Sequence, residues 1–449
     1  MPRFSLFVLG LLAWSACTPP VAAQAPDAGA PVAALPPPSG GVAAPRSLLG
    51  AAFLQAWALQ PEAQSLAARR DAVQANRRIA RAWTPVPPAF EISGRTARTD
   101  LRRGGRELDA GLAIPLWLPG ERGRSGALAD ADAATLESAA AAAQLRLAAA
   151  LRSAYWAWQA ARADTLTAQD QRAAAQALAD DVARRVRAGD LARADGHQAD
   201  GALAAAEVAL ARAQGAEAGA QQQWLSAMGT AALAGAGGVA GAVPPGGPTV
   251  PAGNADPAPP AEEPEPPPDT AVLPHPALRE WQDRAEAARR AAELAEVQRR
   301  GNPELLVGTV RDREAAGDTY RNSVAVGVRV PFGSDDRHAL RRAAAEAELR
   351  EAEAVLVLET QRITAARDAA RRRLDAARSA AAAAERRQRL AQETRTFFDK
   401  SFRLGGTDLP MRLRIEREAV EAERGAAAAR IEQSAALSAW RQALGLLPD

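Results

Sequence analysis

The chain has 449 residues, and its 55 lysines and arginines are nearly balanced by 53 aspartates and glutamates, which leaves a formal charge of +2. The arginines are scattered among acidic residues and alanines rather than gathered in a basic stripe, which argues against a nucleic-acid partner. Aromatic residues make up only 4% of the chain, so long helices packed side by side are favoured over a large conventional core. Beyond the N-terminal residues no stretch holds about 18 consecutive apolar residues, so a membrane-spanning helix is not predicted.

Residues 1–23 have the pattern of a secretory signal peptide. Their apolar run is too short to cross a membrane, and the small residues Val21–Ala23 offer a cleavage site. Cys17, the only cysteine, follows the apolar run and allows a lipid-anchored N-terminus as an alternative. Cleavage after Ala23 would remove it and exclude disulfides and thiolate metal ligands. Residues 24–45 are rich in proline, alanine and glycine and predict a flexible leader.

The rest of the chain is an internal duplication. Pro61 recurs at Pro276 and Gly189 at Gly405, with one residue of slip between these landmarks. Such a period is too long for the common solenoid repeats, so two copies of one large unit are predicted. These units are residues 46–229 and 272–449. The Pro/Gly-rich residues 230–271 between them predict a linker that is poorly ordered or draped over the surface.

Each unit contains two short strands and one very long helix in the same order. Alternating apolar and polar residues define the strands, and long proline-free stretches define the helices. In the first unit we predict strands at about 89–95 and 108–117 and a helix at about 121–187. In the second unit we predict strands at about 304–311 and 323–332 and a helix at about 335–403. Each long helix spans roughly 100 Å, then reaches a glycine turn and a shorter returning helix.

The strands have one apolar side and one small or polar side. Valines at 324, 326 and 328 alternate with Gly327 and Arg329, and Asp109 and Gly111 occupy the same polar side of the first hairpin. An arginine in mid-strand requires a face that meets water. Strands of this length and pattern fit an outer-membrane barrel, although an ordinary sheet lying on a helix layer is an alternative.

Four strands cannot close a barrel, and an open sheet edge cannot face lipid because its backbone groups would lack partners. If the strands enter a membrane, several chains must therefore share one barrel, and three copies would supply twelve strands. Trp117 and Phe332 at the strand ends fit either an aromatic belt or burial at the junction with the helices.

The chain resembles the TolC family of outer-membrane efflux proteins over nearly the whole mature length. The resemblance depends on the duplicated order of elements and on four segments. These are Gly111–Gly120, Val324–Gly333, Ala154–Trp156 and Arg187–Asp190. It implies a mainly α fold with a small β part, in which a homotrimeric 12-stranded β-barrel in the outer membrane continues as a long α-helical barrel across the periplasm. It also implies a periplasmic adaptor and an inner-membrane pump as partners, and the strand at 324–332 is most similar to the heavy-metal branch.

The resemblance also assigns roles to individual residues. The glycine turns would form the periplasmic tip that docks the adaptor, with the residues Arg187, Gly189, Asp190, Arg403, Gly405, Gly406 and Asp408. A pore constriction would involve Asp195, Met411 and Arg414. The barrel lumen would be lined by Asp109, Gly111, Gly327 and Arg329. Many relatives carry aspartates just past the second turn, but residues 409–414 here contain no carboxylate. Asp190 and Asp408 also fit a simpler role as helix N-terminal caps.

No catalytic, cofactor or metal site is predicted. The three histidines lie far apart, and His197 near Asp195 is read as a solvated residue, with contact to a transiting metal ion as the alternative. We therefore predict a passive exit duct of a tripartite efflux pump, conducting metal ions or drugs. The alternatives are a periplasmic adaptor and a structural coiled-coil protein of the envelope.

Overall fold

The computed structural model describes residues 47–96, 105–229, 263–267, 274–315, 317–333 and 335–448. The predicted signal peptide, the leader, Cys17 and most of the predicted linker lie outside these residues. Within the described ranges no helix combines the length and the apolar character needed to cross a membrane.

The first repeat begins with two helices that precede a β-hairpin. Helix α1 is Leu48–Leu59 and helix α2 is Pro61–Ala80. Ser47 caps α1 by accepting a hydrogen bond from the Gly50 amide at 3.0 Å. Strands β1 and β2, helix α3 and helix α4 follow, at Ala89–Thr96, Arg106–Pro115, Glu121–Ala188 and Arg193–Ala227.

The second repeat has the same order with a single leading helix. Helix α5, strands β3 and β4, and helices α6 and α7 lie at Pro276–Val297, Glu304–Arg313, Arg321–Arg329, Asp335–Arg403 and Leu409–Ala443. The strands predicted at about 108–117 and 323–332 begin and end two or three residues earlier than expected. Pro115 and Pro331 have no amide hydrogen with which to continue the ladder.

The four strands form one antiparallel sheet in the order β1-β2-β3-β4. Strands β2 and β3 come from different repeats, so their pairing joins the two copies. At the centre of this junction Gly111 lies opposite Gly308. A Cβ atom on Gly308 would lie 2.7 Å from the Ala110 carbonyl oxygen, so this close approach requires glycine.

Helices α3–α4 and α6–α7 form two long hairpins. The shorter helices α1 and α2 pack against α3, and α5 packs against both α3 and α6. A core near the middle of α3 contains Tyr155, whose ring meets the edges of Trp156 and Trp224 at centroid distances of 5.0 and 5.4 Å. The Trp156 indole donates to the Ser438 hydroxyl at 2.9 Å and so ties α3 to α7. A second core near the turns contains Phe402 and Leu409. Each repeat is thus held to the other by helices as well as by strands.

The prediction that the linker is poorly ordered or lies over the surface is wrong for Glu263 and Pro266, which are buried within the described residues 263–267. Glu263 is only 3% exposed and its carboxylate accepts two hydrogen bonds from Arg152, at 2.6 and 3.0 Å. The same carboxylate contacts the Ser438 hydroxyl and lies 3.4 Å from the Arg441 guanidinium. Arg152 and Arg441 are buried in the helical core, and a buried charge is costly unless it is paired. The carboxylate of Glu263 in the linker pairs with both.

Candidate functional site

One face of the sheet is apolar and uncovered. The pairing register brings the alternating apolar positions of all four strands to this side. The members of this apolar face are Phe90, Ile92, Leu108, Ala110, Leu112, Ile114, Leu305, Val307, Thr309, Val324, Val326 and Val328. Phe90 and Val324 are 71% and 74% exposed, and no described helix packs across them. The alternative of a sheet lying on a helix layer is therefore wrong.

The opposite, polar face is concave and carries charge. The carboxylate of Glu91 on β1 lies 3.8 Å from the guanidinium of Arg329 on β4, although these strands would be roughly 14 Å apart in a flat sheet. The sheet therefore curves toward this side. Arg329 also pairs with Glu304 at 2.8 Å, and Ser93 donates to Asp109 at 3.0 Å.

The four residues predicted to line the lumen all lie on this polar face. Asp109, Gly111 and Gly327 line a groove of about 370 Å³, and Arg329 lies near its helical end. Their common orientation follows from the register. Carboxylates and guanidiniums along a concave wall suit a water-filled space, and the apolar side suits lipid.

The two aromatic residues at the strand ends have different surroundings. The indole of Trp117 is half-buried and donates to the Ala82 carbonyl at 3.2 Å, just after α2. Phe332 is 92% exposed beyond the end of β4. Burial at the junction thus describes Trp117, whereas Phe332 has the exposure that an aromatic belt requires.

At the far end of the long helices, both hairpins turn in the same way. Helix α3 ends at Gly189 with φ of 86°, and helix α6 ends before Gly405 with φ of 79°. The Asp190 amide donates to the Arg185 carbonyl, and the Gly406 amide donates to the Ser401 carbonyl, each at 2.9 Å. This is the left-handed glycine stop of a Schellman motif, which frees the chain to reverse and pack against the helix it has just left.

The capping interpretation is confirmed for Asp408 and wrong for Asp190. Asp408 is the N-cap of α7, and its carboxylate accepts from the Met411 amide at 3.2 Å. Helix α4 begins only at Arg193, too far along the chain for Asp190 to cap it. Asp195, in the first turn of α4, instead accepts a hydrogen bond at 3.0 Å from the amide of the N-cap residue Ala192.

The other predicted tip residues are mostly exposed and bound locally. The Arg187 guanidinium donates to the Ala183 carbonyl within its own helix at 3.2 Å, and Arg403 pairs with Asp399 at 2.8 Å. Arg414 pairs with Glu418 at 3.2 Å in the first turns of α7, and Met411 is 39% exposed.

The residue that sequence reasoning missed at this end is Phe402. Phe402 is 2% exposed, and the guanidiniums of Arg185 on α3 and Arg412 on α7 both lie over its ring, at 4.9 and 4.7 Å from the ring centroid. Arg412 is held in turn by Asp399 at 2.6 Å. An aromatic residue one turn before a glycine stop was the available signal. Beside this contact the two hairpins line a partly open cavity of about 1130 Å³.

One buried histidine has an altered pKa. His275, the N-cap of α5, is 7% exposed, and burial lowers its pKa below the ordinary value of 6.5. The positive charge of Arg367 acts in the same direction, and a hydrogen bond with the Gln442 backbone acts against it. These surroundings therefore favour the neutral form of His275 more than an exposed position would. No cluster of three or more His, Cys, Asp or Glu in the described part of the chain is arranged to hold a metal ion.

The comparisons with known proteins agree with this geometry. Residues 54–230 match the family model of outer membrane efflux proteins. No curated protein sequence matches the chain. The solved structure of CusC, described as forming a transmembrane channel, is similar with a TM-score of 0.70 at 15% identity, over 89% of this chain and 92% of CusC.

Two further solved structures have the same fold. The outer membrane protein VceC of Vibrio cholerae has a TM-score of 0.68 at 15% identity, over 89% of this chain and 97% of its own. The MtrE outer membrane channel of Neisseria gonorrhoeae has a TM-score of 0.66 at 15% identity, over 89% of this chain and 90% of its own.

Proposed function

We propose that this chain, whose residues 54–230 match the family model of outer membrane efflux proteins, is the exit duct of a tripartite efflux pump. The duct is passive and conducts substrates such as metal ions or drugs from the periplasm to the exterior. Its partners are two further copies of the chain, a periplasmic adaptor, an inner-membrane pump and the lipid of the outer membrane.

The observation that carries this proposal is the sheet with an uncovered apolar face and a concave, charged face. Burial of apolar surface is worth roughly 25 cal/mol per Å², so side chains as exposed as Phe90 and Val324 favour an apolar environment. Lipid provides that environment, and the opposite face then encloses water.

The open edges of the sheet support a homotrimer. Strands β1 and β4 are the outer strands, and their free backbone groups would be unsatisfied in lipid. Pairing of β4 in one copy with β1 in the next removes every edge when three copies close a 12-stranded β-barrel. Asp109, Gly111, Gly327 and Arg329 then line its lumen.

The long helices support a conduit through the periplasm. Helices α3 and α6 contain 68 and 69 residues, which corresponds to about 100 Å each. In this arrangement the turns around Gly189 and Gly405 form the tip farthest from the membrane. The adaptor docks there, and Met411 and Arg414, in the first turns of α7, contribute to the constriction of the pore together with Asp195.

The two alternative functions do not use the sheet in this way. A periplasmic adaptor or a coiled-coil envelope protein works in water, where an uncovered apolar face promotes aggregation. The curvature of the sheet toward its charged face also has no role in a spacer.

The test is to extract the protein from outer-membrane fractions in detergent, measure its mass by light scattering and record planar-bilayer currents. We expect a trimer that gives discrete conductance steps. A monomer in the soluble periplasm without conductance would overturn the proposal and favour an adaptor or a spacer.

A further inference from the structure

Three arginines stand at the hairpin end of the apolar face. Arg106 on β2 lies directly opposite Arg313 on β3, and Arg311 lies opposite Leu108 one step closer to the helices. All three share the face of Val307. We call Arg106, Arg311 and Arg313 the arginine rim.

The acidic residues of the same strand ends point to the other face and are already paired. Asp312 and Glu314 bind Arg321, at 3.3 and 2.6 Å. Glu107 binds Arg95 at 3.2 Å. Within the ranges that the structure describes, no carboxylate forms an ion pair with any arginine of the rim.

A tyrosine ring forms cation–π contacts with two of the three guanidiniums. The Tyr320 ring lies 4.5 Å from the guanidinium carbon of Arg311 and 5.2 Å from that of Arg313. A guanidinium on an aromatic ring keeps its N–H edge free for planar, two-point contact with oxygens of a carboxylate or phosphate.

The rim also carries an electrostatic cost. Like charges directly opposite each other on neighbouring strands destabilise a sheet, and Arg106 and Arg313 form such a pair. An anion bound from outside the chain would offset this repulsion.

The position of the rim indicates where the anion comes from. From Arg311 to Leu305 the apolar face of β3 extends roughly 20 Å along the strand, and the arginine rim lies at the hairpin end of this face. The rim therefore lies where acyl chains give way to headgroups. A lipid fits better than a soluble anion because a single molecule would contact both the valines and the arginines.

We propose that the arginine rim binds the phosphate groups of anionic lipid headgroups in the leaflet at the hairpin end of the sheet. The proposal rests on the proposed function, which places this sheet in the outer membrane. The phosphate oxygens accept hydrogen bonds from Arg311 and Arg313, and the negative charge relieves the repulsion between Arg106 and Arg313.

The experiment compares lipid retention by the full-length protein in detergent. The wild type is titrated separately with a bisphosphorylated glycolipid, with phosphatidylcholine and with inorganic phosphate, and bound ligand is counted by native mass spectrometry. The variant Arg311→Gln/Arg313→Gln should hold the glycolipid about 30-fold more weakly. The control Arg95→Gln, on the polar face at the same end of the sheet, should retain it as the wild type does.

A charge-preserving variant guards against loss of folding. Arg311→Lys/Arg313→Lys should bind the glycolipid more tightly than the glutamine variant but less tightly than the wild type, since each lysine keeps one positive charge and loses the planar two-point contact. Equal retention of glycolipid and phosphatidylcholine by the wild type would overturn the proposal, as would full retention by the glutamine variant. Inorganic phosphate that displaces the glycolipid at equal concentration would indicate a soluble-anion site and would also overturn it.

The failure of this proposal is distinguishable from the failure of the proposed function. If the wild type is a conducting trimer that does not prefer the phosphorylated lipid, only the proposal for the arginine rim is overturned. If it is a monomer without conductance, the proposed function is overturned and the proposal for the arginine rim with it.

Discussion

Glu263 anchors the described part of the linker to the helical core. Its carboxylate lies between two guanidiniums, those of Arg152 and Arg441, that are each only 3% exposed. A buried ion pair adds little net stability when both partners are present, but removal of one partner leaves an uncompensated buried charge. Glu263 thus holds α3 of one repeat against α7 of the other.

We expect Glu263→Gln to destabilise the protein by about 3–5 kcal/mol, because the amide keeps the shape of the side chain and removes its charge. The measurement is thermal unfolding in detergent followed by circular dichroism. Glu265→Gln is the matched control, since Glu265 is 57% exposed and pairs with Arg378 at 3.2 Å on the surface. Equal melting of the two variants would show that the linker carboxylate does not hold the core.

His275 makes stability depend on pH. Because burial lowers its pKa below 6.5, the unfolded chain takes up a proton at a higher pH than the folded chain. Its contribution to stability is complete above the ordinary pKa and is lost as the pH falls toward the lower, folded value.

We expect the melting temperature of the wild type to fall between about pH 8 and pH 5 more steeply than that of His275→Gln. His197→Gln, at an exposed position on α4, should keep the wild-type slope. Identical slopes for wild type and His275→Gln would rule out this histidine as a source of the pH dependence.

At the scale of elements, the sheet has neighbouring positions on β4 with opposite surroundings. Val326 is 69% exposed on the apolar face, and Gly327 lines the groove on the polar face. We expect Val326→Asp to block membrane assembly, because a charge on the lipid side of a barrel strand is costly. Gly327→Asp should assemble and alter the conductance.

The two variants are compared by the amount of trimer in outer-membrane fractions and by single-channel recording. Each variant is the control for the other, since both place one aspartate on the same strand. Equal assembly of both would refute the assignment of the inner and outer faces.

The order of the elements and the two faces of the sheet could be predicted because they depend on local periodicity. Alternation of period two marks a strand wherever it packs, and a glycine stop marks a turn. The burial of Glu263 could not be predicted this way, because its partner Arg152 lies far away in sequence and a carboxylate in a proline-rich segment is usually solvated. The capping of α4 by Asp195 rather than Asp190 depended on the length of the loop, which no periodic pattern sets.

At the scale of the whole molecule, the two repeats are joined by different interactions at the two ends of the chain's fold. At one end backbone pairing between β2 and β3 joins the repeats, and at the other end side chains join them around Phe402. In the proposed trimer the first end is closed by strands, whereas the helical tip has only side-chain contacts to resist splaying. In the proposed duct we therefore expect opening to occur at the tip.

We expect Phe402→Ala to loosen the tip without affecting the sheet. The substitution empties a site that is 2% exposed, which costs about 3–5 kcal/mol locally, and it removes the ring over which the guanidiniums of Arg185 and Arg412 lie. The open fraction in planar-bilayer recordings should rise and the melting temperature should fall. Phe397→Ala, at a position that is 67% exposed on the same helix, should change neither quantity. If the two alanine variants have the same open fraction, the contacts that hold the hairpins together at the tip lie elsewhere. The cavity beside Phe402 would then have no part in opening the duct.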